Sequence, residues 1–125
     1  MIIPALRYQD AKAAIDFLER AFGLERRHVS ENADGAVVHA ELTHGRGMVM
    51  IGTSGQGDPQ FETAHTSIYV IVDDPDAAYE RAKAAGAEIS RELQDMDYGS
   101  REFTARDPEG NVWSFGTYDP FASGS

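Results

Sequence analysis

Two rhythms of apolar residues run through the chain. Behind Asp10, whose carboxylate suits a helix N-cap, Ala11, Ala14, Ile15, Leu18 and Phe22 recur on one face at helical spacing. Gly23 follows as a left-handed stop. A second helix is predicted behind Asp74, with Pro75 at the first helical position. Its apolar stripe is Ala78, Tyr79, Ala82 and Ala85, and Gly86 ends it. Elsewhere the period is shorter and strand-like. Ile2 to Tyr8 precedes the first helix, and Glu25 to Ser30, Val37 to Leu42 and Met48 to Gly52 follow it. Ser67 to Val72 precedes the second, and Ile89 to Leu93, Arg101 to Arg106 and Val112 to Thr117 follow. Asn32 to Gly35, His44 to Gly47, Tyr98-Gly99 and Asp107 to Gly110 supply turn residues between strands.

The same order thus occurs twice. A shift of 63 carries Gly47 onto Gly110, Val49 onto Val112 and Gly23 onto Gly86. The chain reads as an α+β protein of two βαβββ modules, residues 1–53 and 65–118. A Gly/Pro/polar linker at 54–64 joins them, and a frayed tail covers 121–125. Neither module alone buries both faces of its sheet. The expected architecture is a concave, curved mixed sheet with helices on its outer face. At 125 residues there is room for one ordinary domain.

Hydrophobic residues make up 42% and charged residues 26%, which fits a globular protein and not a disordered one. No apolar run approaches the roughly 20 residues of a membrane helix, and no signal peptide is evident. The absence of cysteine excludes disulfides and thiolate chemistry and fits a cytoplasmic protein. Eleven Lys and Arg against 21 Asp and Glu leave a net charge of −10. That is the opposite of a nucleic-acid footprint, and it favours cationic or neutral small ligands. The glycines of the linker precede no helix, so no phosphate-cradling loop is present.

"DPEGNVWSF" at Asp107 to Phe115 resembles the turn into the last strand of the vicinal oxygen chelate superfamily, which holds glyoxalase I, extradiol dioxygenases and bleomycin-resistance proteins. "RYQDAKAAIDFLERAFGLE" at Arg7 to Glu25 and "VDDPDAAYERAKAAGAEI" at Val72 to Ile89 are similar to its strand-to-helix junctions. "YGSREF" at Tyr98 to Phe103 resembles the small bacterial glyoxalase/bleomycin-resistance-like branch. The resemblance implies a homodimer. It also implies that an enzyme of this family holds a divalent metal with His and Glu from the first and last strands of each module. Here those slots fall on Ile3, Ile51, Ser67 and Ser114, none of them a competent ligand. His65, two residues before Ser67, shares its face, but one histidine makes no site.

Alternation sorts the remaining side chains. Trp113 and Phe115 should face the helix, leaving Val112, Ser114 and Gly116 on the open face. Ile3, Ala5 and Arg7 share that face, as do Ser67, Tyr69 and Ile71. In the third strand Val38, Ala40 and Leu42 read as helix-packed, and Val37, His39 and Glu41 as open. The 63-residue shift carries His39 onto Glu102 and Glu41 onto Thr104. The candidate ligand-binding set is therefore His39, Glu41, Ser67, Tyr69, Tyr98, Arg101, Glu102, Thr104 and Ser114, with no metal, cofactor or catalytic residue assigned.

His39 and Glu41 stand as an acid–base pair or as part of an ion-paired strand face, with Arg101 or Arg106 as partner. Arg101 stands as an anion clamp or an ion-pair member. The expected function is a metal-free binder of a planar aromatic or cationic small molecule, such as an antibiotic, with Glu41 and Glu102 attracting cations. The alternative is a metal-dependent glyoxalase-like lyase or isomerase, or a dioxygenase, using a non-standard set from His65, His39, Glu41 and Glu102. A third is a structural module without a ligand. No nucleic-acid or membrane partner is expected.

Overall fold

The computed structural model describes residues 1–122. They form two compact units, Met1–Ala64 and a second beginning at His65. Each unit is a strand, a helix and three further strands, in a four-stranded mixed sheet. Unit one holds β1 (Ala5–Tyr8), α1 (Ala11–Phe22), β2 (Glu25–Glu31), β3 (Val37–His44) and β4 (Gly47–Thr53), in sheet order β1-β4-β3-β2. Unit two holds β5 (Ser67–Ile71), α2 (Pro75–Ala84), β6 (Glu88–Asp95), β7 (Arg101–Arg106) and β8 (Val112–Gly116), in sheet order β5-β8-β7-β6. In both, the first strand runs parallel to the last, and the other pairs are antiparallel. The α+β class and the repeated βαβββ order are as the sequence predicts. Among the described residues no helix is long and apolar enough to cross a membrane.

Local chemistry sets the helix ends. The Asp10 carboxylate accepts from the Ala13 N–H at 3.1 Å and that of Asp74 from Ala77 at 3.0 Å. Each satisfies a donor that the first turn would otherwise leave open. Gly23 closes α1 at φ 74°, a conformation that penalises any side chain. The apolar stripe of α1 then buries Ala14, Ile15, Leu18 and Phe22 against Leu6, Tyr8, Ala40, Leu42, Val49 and Ile51 of the sheet. In unit two α2 is slimmer, and the volume is filled from the sheet. Phe103 and Phe115 stack at 4.9 Å, and Tyr79 of α2 meets Phe103 edge-on at 5.3 Å.

Trp113 is buried on the helix side, as alternation predicts. Its indole N–H donates to Asp107 Oδ2 at 3.0 Å. Asp107 also accepts from the backbone N–H groups of Glu109 and Asn111 and from the Asn111 amide. The Asn111 side-chain Oδ1 in turn accepts from Thr66 N–H at 3.0 Å. One buried carboxylate thus orders the turn, seats the Trp and ties the start of β5 to β8.

Two facings differ from expectation. Val37 is buried and Val38 is 40% exposed, the reverse of strict alternation. The β2–β3 ladder steps from Ser30↔His39 to Glu31↔Val37, so Val38 sits in a bulge, and a bulge shifts parity by one. Ile51, expected on the open face, is buried beside Leu6 and Ala40. His44–Gly47 link Thr43 to Met48, whereas the equivalent stretch from Asp107 to Asn111, linking Arg106 to Val112, is one residue longer. The shift of 63 that relates β3 to β7 therefore becomes 64 between β4 and β8. The residue of β4 equivalent to Ser114 is Met50, paired with Glu41 as Ser114 is with Thr104.

The stretch after β4 folds back on unit one. Ser54 N–H donates to Tyr8 O at 2.8 Å, and Arg7 N–H donates to Thr63 Oγ1 at 3.0 Å. A 3-10 turn spans Pro59–Phe61. Of the 121–125 tail, residues 123–125 lie outside the described residues.

Candidate functional site

On the sheet face of unit two turned away from α2, the ladder aligns side chains in rows. One row runs Tyr69, Ser114, Thr104, Arg91, and the next runs Ile71, Gly116, Glu102, Gln94. Gly116 leaves a gap in the second row, across which Tyr69 reaches Glu102. A Cβ built at Gly116 would lie 2.4 Å from both Glu102 Cγ and Tyr69 Oη. The glycine is thus the opening that lets the two side chains meet.

Glu102 is 2% exposed. Its Oε2 accepts from the Tyr69 hydroxyl at 2.9 Å, and its Oε1 accepts from the Tyr98 hydroxyl at 2.7 Å and from Arg91 Nη2 at 3.2 Å. Burial pushes the carboxyl pKa up, but hydroxyl donation from Tyr98, Tyr69 and Ser100 and the Arg91 charge outweigh it. The net shift is downward, so Glu102 stays ionised at neutral pH. The tyrosines respond oppositely. The hydrogen bond to Glu102 pushes Tyr98 up to about 12. Tyr69 is raised as well, first by burial and then by the carboxylate.

Tyr98 lies on the β6–β7 turn, where Met96 N–H donates to Ser100 O at 2.7 Å. The segment after β8 completes the group. Tyr118 N–H donates to Tyr69 Oη and to Ser100 Oγ, each at 3.1 Å. The Tyr118 ring meets that of Tyr98 edge-on at 6.0 Å. The hydroxyl ends of Tyr69 and Tyr98 are therefore fixed, while Tyr69, Tyr98 and Tyr118 remain 41%, 53% and 48% exposed.

The other predicted residues distribute as follows. Thr104 and Ser114 hydrogen-bond to each other at 3.0 Å on the same face, and Ser67 lies exposed farther along β5 beside Val112. Arg101 points elsewhere. It donates to Asp76 at the start of α2 and to Asp95 of β6, the ion-pair role and not the anion clamp. In unit one, His39 Nε2 and Glu41 Oε2 are 3.0 Å apart, and Arg27 pairs with the other Glu41 oxygen. The ion-pair partner is thus Arg27, not Arg101 or Arg106. Hydrogen bonds from His39 and Arg27 hold Glu41 below the usual carboxylate range. His28, across from Glu41, contacts Ser30 Oγ at 2.8 Å and has its ring 6.3 Å from that of His39.

Arg91 escaped the sequence reading. Arg91 sits in β6, whose ladder has two irregularities, so its facing is illegible from alternation. Tyr118 reads from the sequence as lining a pocket mouth or stapling the chain to the core, and the structure adds its backbone N–H to the group, a contribution that leaves no compositional signal.

A metal of the implied kind finds no donor set. The open faces of β1 and β4 carry Ala5, Arg7, Met48, Met50 and Gly52, and those of β5 and β8 carry Ser67, Tyr69, Ile71, Val112, Ser114 and Gly116. None offers imidazole or carboxylate. The His65 ring packs over the Gly110 turn. Among the described residues no three His, Asp or Glu side chains are placed to hold an ion together.

Comparison with known proteins gives a consistent family. The family model described as Glyoxalase/Bleomycin resistance protein/Dioxygenase superfamily matches residues 3–115. An uncharacterized protein of Mycobacterium bovis is 31% identical over 121 aligned residues, covering 90% of this chain and 80% of that protein. The crystal structure of TioX from Micromonospora sp. ML1 is 34% identical with a TM-score of 0.79, over 92% of this chain and 95% of that one. The lactoylglutathione lyase of Agrobacterium tumefaciens shares the fold at 21% identity and a TM-score of 0.68, over 93% and 91% of the two chains.

Proposed function

Since the chain belongs to the Glyoxalase/Bleomycin resistance protein/Dioxygenase superfamily, we propose that it binds a planar aromatic or cationic small molecule without a metal and acts by sequestering it. An antibiotic is a ligand of the right kind, and the working form proposed is a cytoplasmic homodimer. The observation that carries this reading is the group of half-exposed tyrosine rings, Tyr69, Tyr98 and Tyr118, held around an ionised, buried Glu102. Aromatic faces fixed in advance lose little entropy on binding and offer large contact area. The donor-poor open faces of β1, β4, β5 and β8 support binding that needs no metal.

The test is a fluorescence titration with acridine, a planar aromatic probe, against the wild-type chain and the variants Tyr69→Ala and Tyr98→Ala. Each truncation should weaken binding about tenfold, as anchor aromatics do. Unchanged affinity in both variants, with folding verified by melting, would refute the assignment of the site. Sedimentation equilibrium tests the dimer.

A second reading rests on the His39–Glu41 pair. A carboxylate on Nε2 fixes the imidazole tautomer and leaves Nδ1 as a proton acceptor. Proton exchange from an acidic C–H substrate that is lost in His39→Gln would favour it over sequestration.

A further inference from the structure

The hydroxyls of Tyr69 and Tyr98 are both spent on Glu102, and Glu102 in turn is enclosed by its donors. Its two oxygens receive Tyr69, Tyr98 and Arg91, and almost none of its surface is exposed. A bound cation therefore cannot reach the carboxylate without breaking these bonds. The sequence suggests direct attraction to Glu102, whereas the geometry leaves the ligand the tyrosine rings.

A phenol that donates to a carboxylate becomes richer in electrons over its ring. That deepens the negative face of the quadrupole and strengthens its hold on a cation. Two rings, Tyr69 and Tyr98, are polarised by the same carboxylate, and each keeps about half its surface open. The field of a chain with net charge −10 adds to this in the same direction.

We propose that Glu102 is a positioning residue that fixes and polarises the Tyr69 and Tyr98 rings, and that the site selects a planar aromatic cation with delocalised charge over its neutral isostere. This rests on the small-molecule reading above and names its ligand class. Arg91 belongs to the same device. It balances the buried charge from the strand side, so that the carboxylate stays in place and the rings carry the selectivity.

The test compares N-methylacridinium with acridine, at a mildly alkaline pH where acridine is neutral. The two probes have nearly the same shape and differ in charge. The wild-type chain should bind the cation about tenfold more tightly, the scale expected for two polarised rings. Glu102→Gln should bring the ratio of cation to acridine affinity close to one, whatever the change costs both probes in absolute affinity. Tyr98→Phe, which keeps the ring and removes the hydroxyl, should lower the ratio part of the way. It also carries the test alone if Glu102→Gln does not fold.

A rise in cation affinity in Tyr98→Phe would mean that the freed carboxylate contacts the ligand directly, which overturns the proposal. Equal binding of both probes by the wild-type chain would overturn it while leaving the small-molecule reading intact. Binding of neither probe would remove both.

Discussion

Replacing Gly116 by alanine is the sharpest perturbation of the proposed site, because it adds one methyl group where two side chains already meet. The new Cβ would stand 2.4 Å from Glu102 Cγ and from Tyr69 Oη, distances that side-chain carbons do not tolerate. Gly116 lies in β8 without a positive φ, so alanine fits the backbone and gains about 0.5–1 kcal/mol over glycine there. Against that, forcing a methyl into a filled space costs about 1–3 kcal/mol. Displacing the Tyr69 hydroxyl would also strip a charge-assisted hydrogen bond from a buried carboxylate, about 1.5–3 kcal/mol. Taken together, these ranges give a loss of about 1.5–5.5 kcal/mol, centred on about 3.5 kcal/mol, or a melting point lower by roughly 13 °C for a chain of this size. Urea and thermal denaturation measure it. Gly47→Ala is the control, since its Cβ would meet only His44 O at 3.4 Å. That variant should stay within about 0.5 kcal/mol of wild type. If Gly116→Ala were as stable as Gly47→Ala, the meeting of Tyr69 and Glu102 over the glycine would be wrong.

Other outcomes rest on Trp113 and on Tyr98. Trp113→Ala should cost about 3–5 kcal/mol as a core truncation. Trp113→Phe, which keeps an aromatic ring but loses the N–H donated to Asp107, should cost about 1.5–3 kcal/mol. A neutral Trp113→Ala in urea denaturation would place that ring outside the core. In an ultraviolet pH titration, Tyr98 should ionise near 12, above the usual value of about 10. Because its folded-state pKa is raised, its contribution to stability is complete below about pH 10 and fades as pH climbs towards 12. Glu102→Gln should return this titration towards the ordinary range, and an unchanged curve would contradict the Tyr98–Glu102 bond.

Much of the fold is legible in the sequence because its signals are local. Asp10, Gly23, Asp74 and Pro75 announce helix ends through bonds within one turn of chain. Alternation on β8 separates Trp113 and Phe115 from Ser114 without knowledge of any partner strand. Where a partner decides, that legibility fails. The Val38 bulge is a property of the β2–β3 pairing, and the one-residue difference between the β3–β4 and β7–β8 turns moved Ile51 to the core and Met50 to the open face. Both errors are parity errors, and a single inserted residue reverses a facing. For the site, Tyr69, Tyr98 and Glu102 were each visible as candidates. That they converge depends on Gly116 providing the gap and on the irregular β6 turning Arg91 inward, which no spacing rule encodes.

The most direct test is the affinity of the wild-type chain for N-methylacridinium after dialysis against EDTA, measured again after adding zinc or nickel. The account predicts the same dissociation constant in both states, because tyrosine faces carry the contact. Binding that vanishes with the chelator and returns with the metal would contradict it.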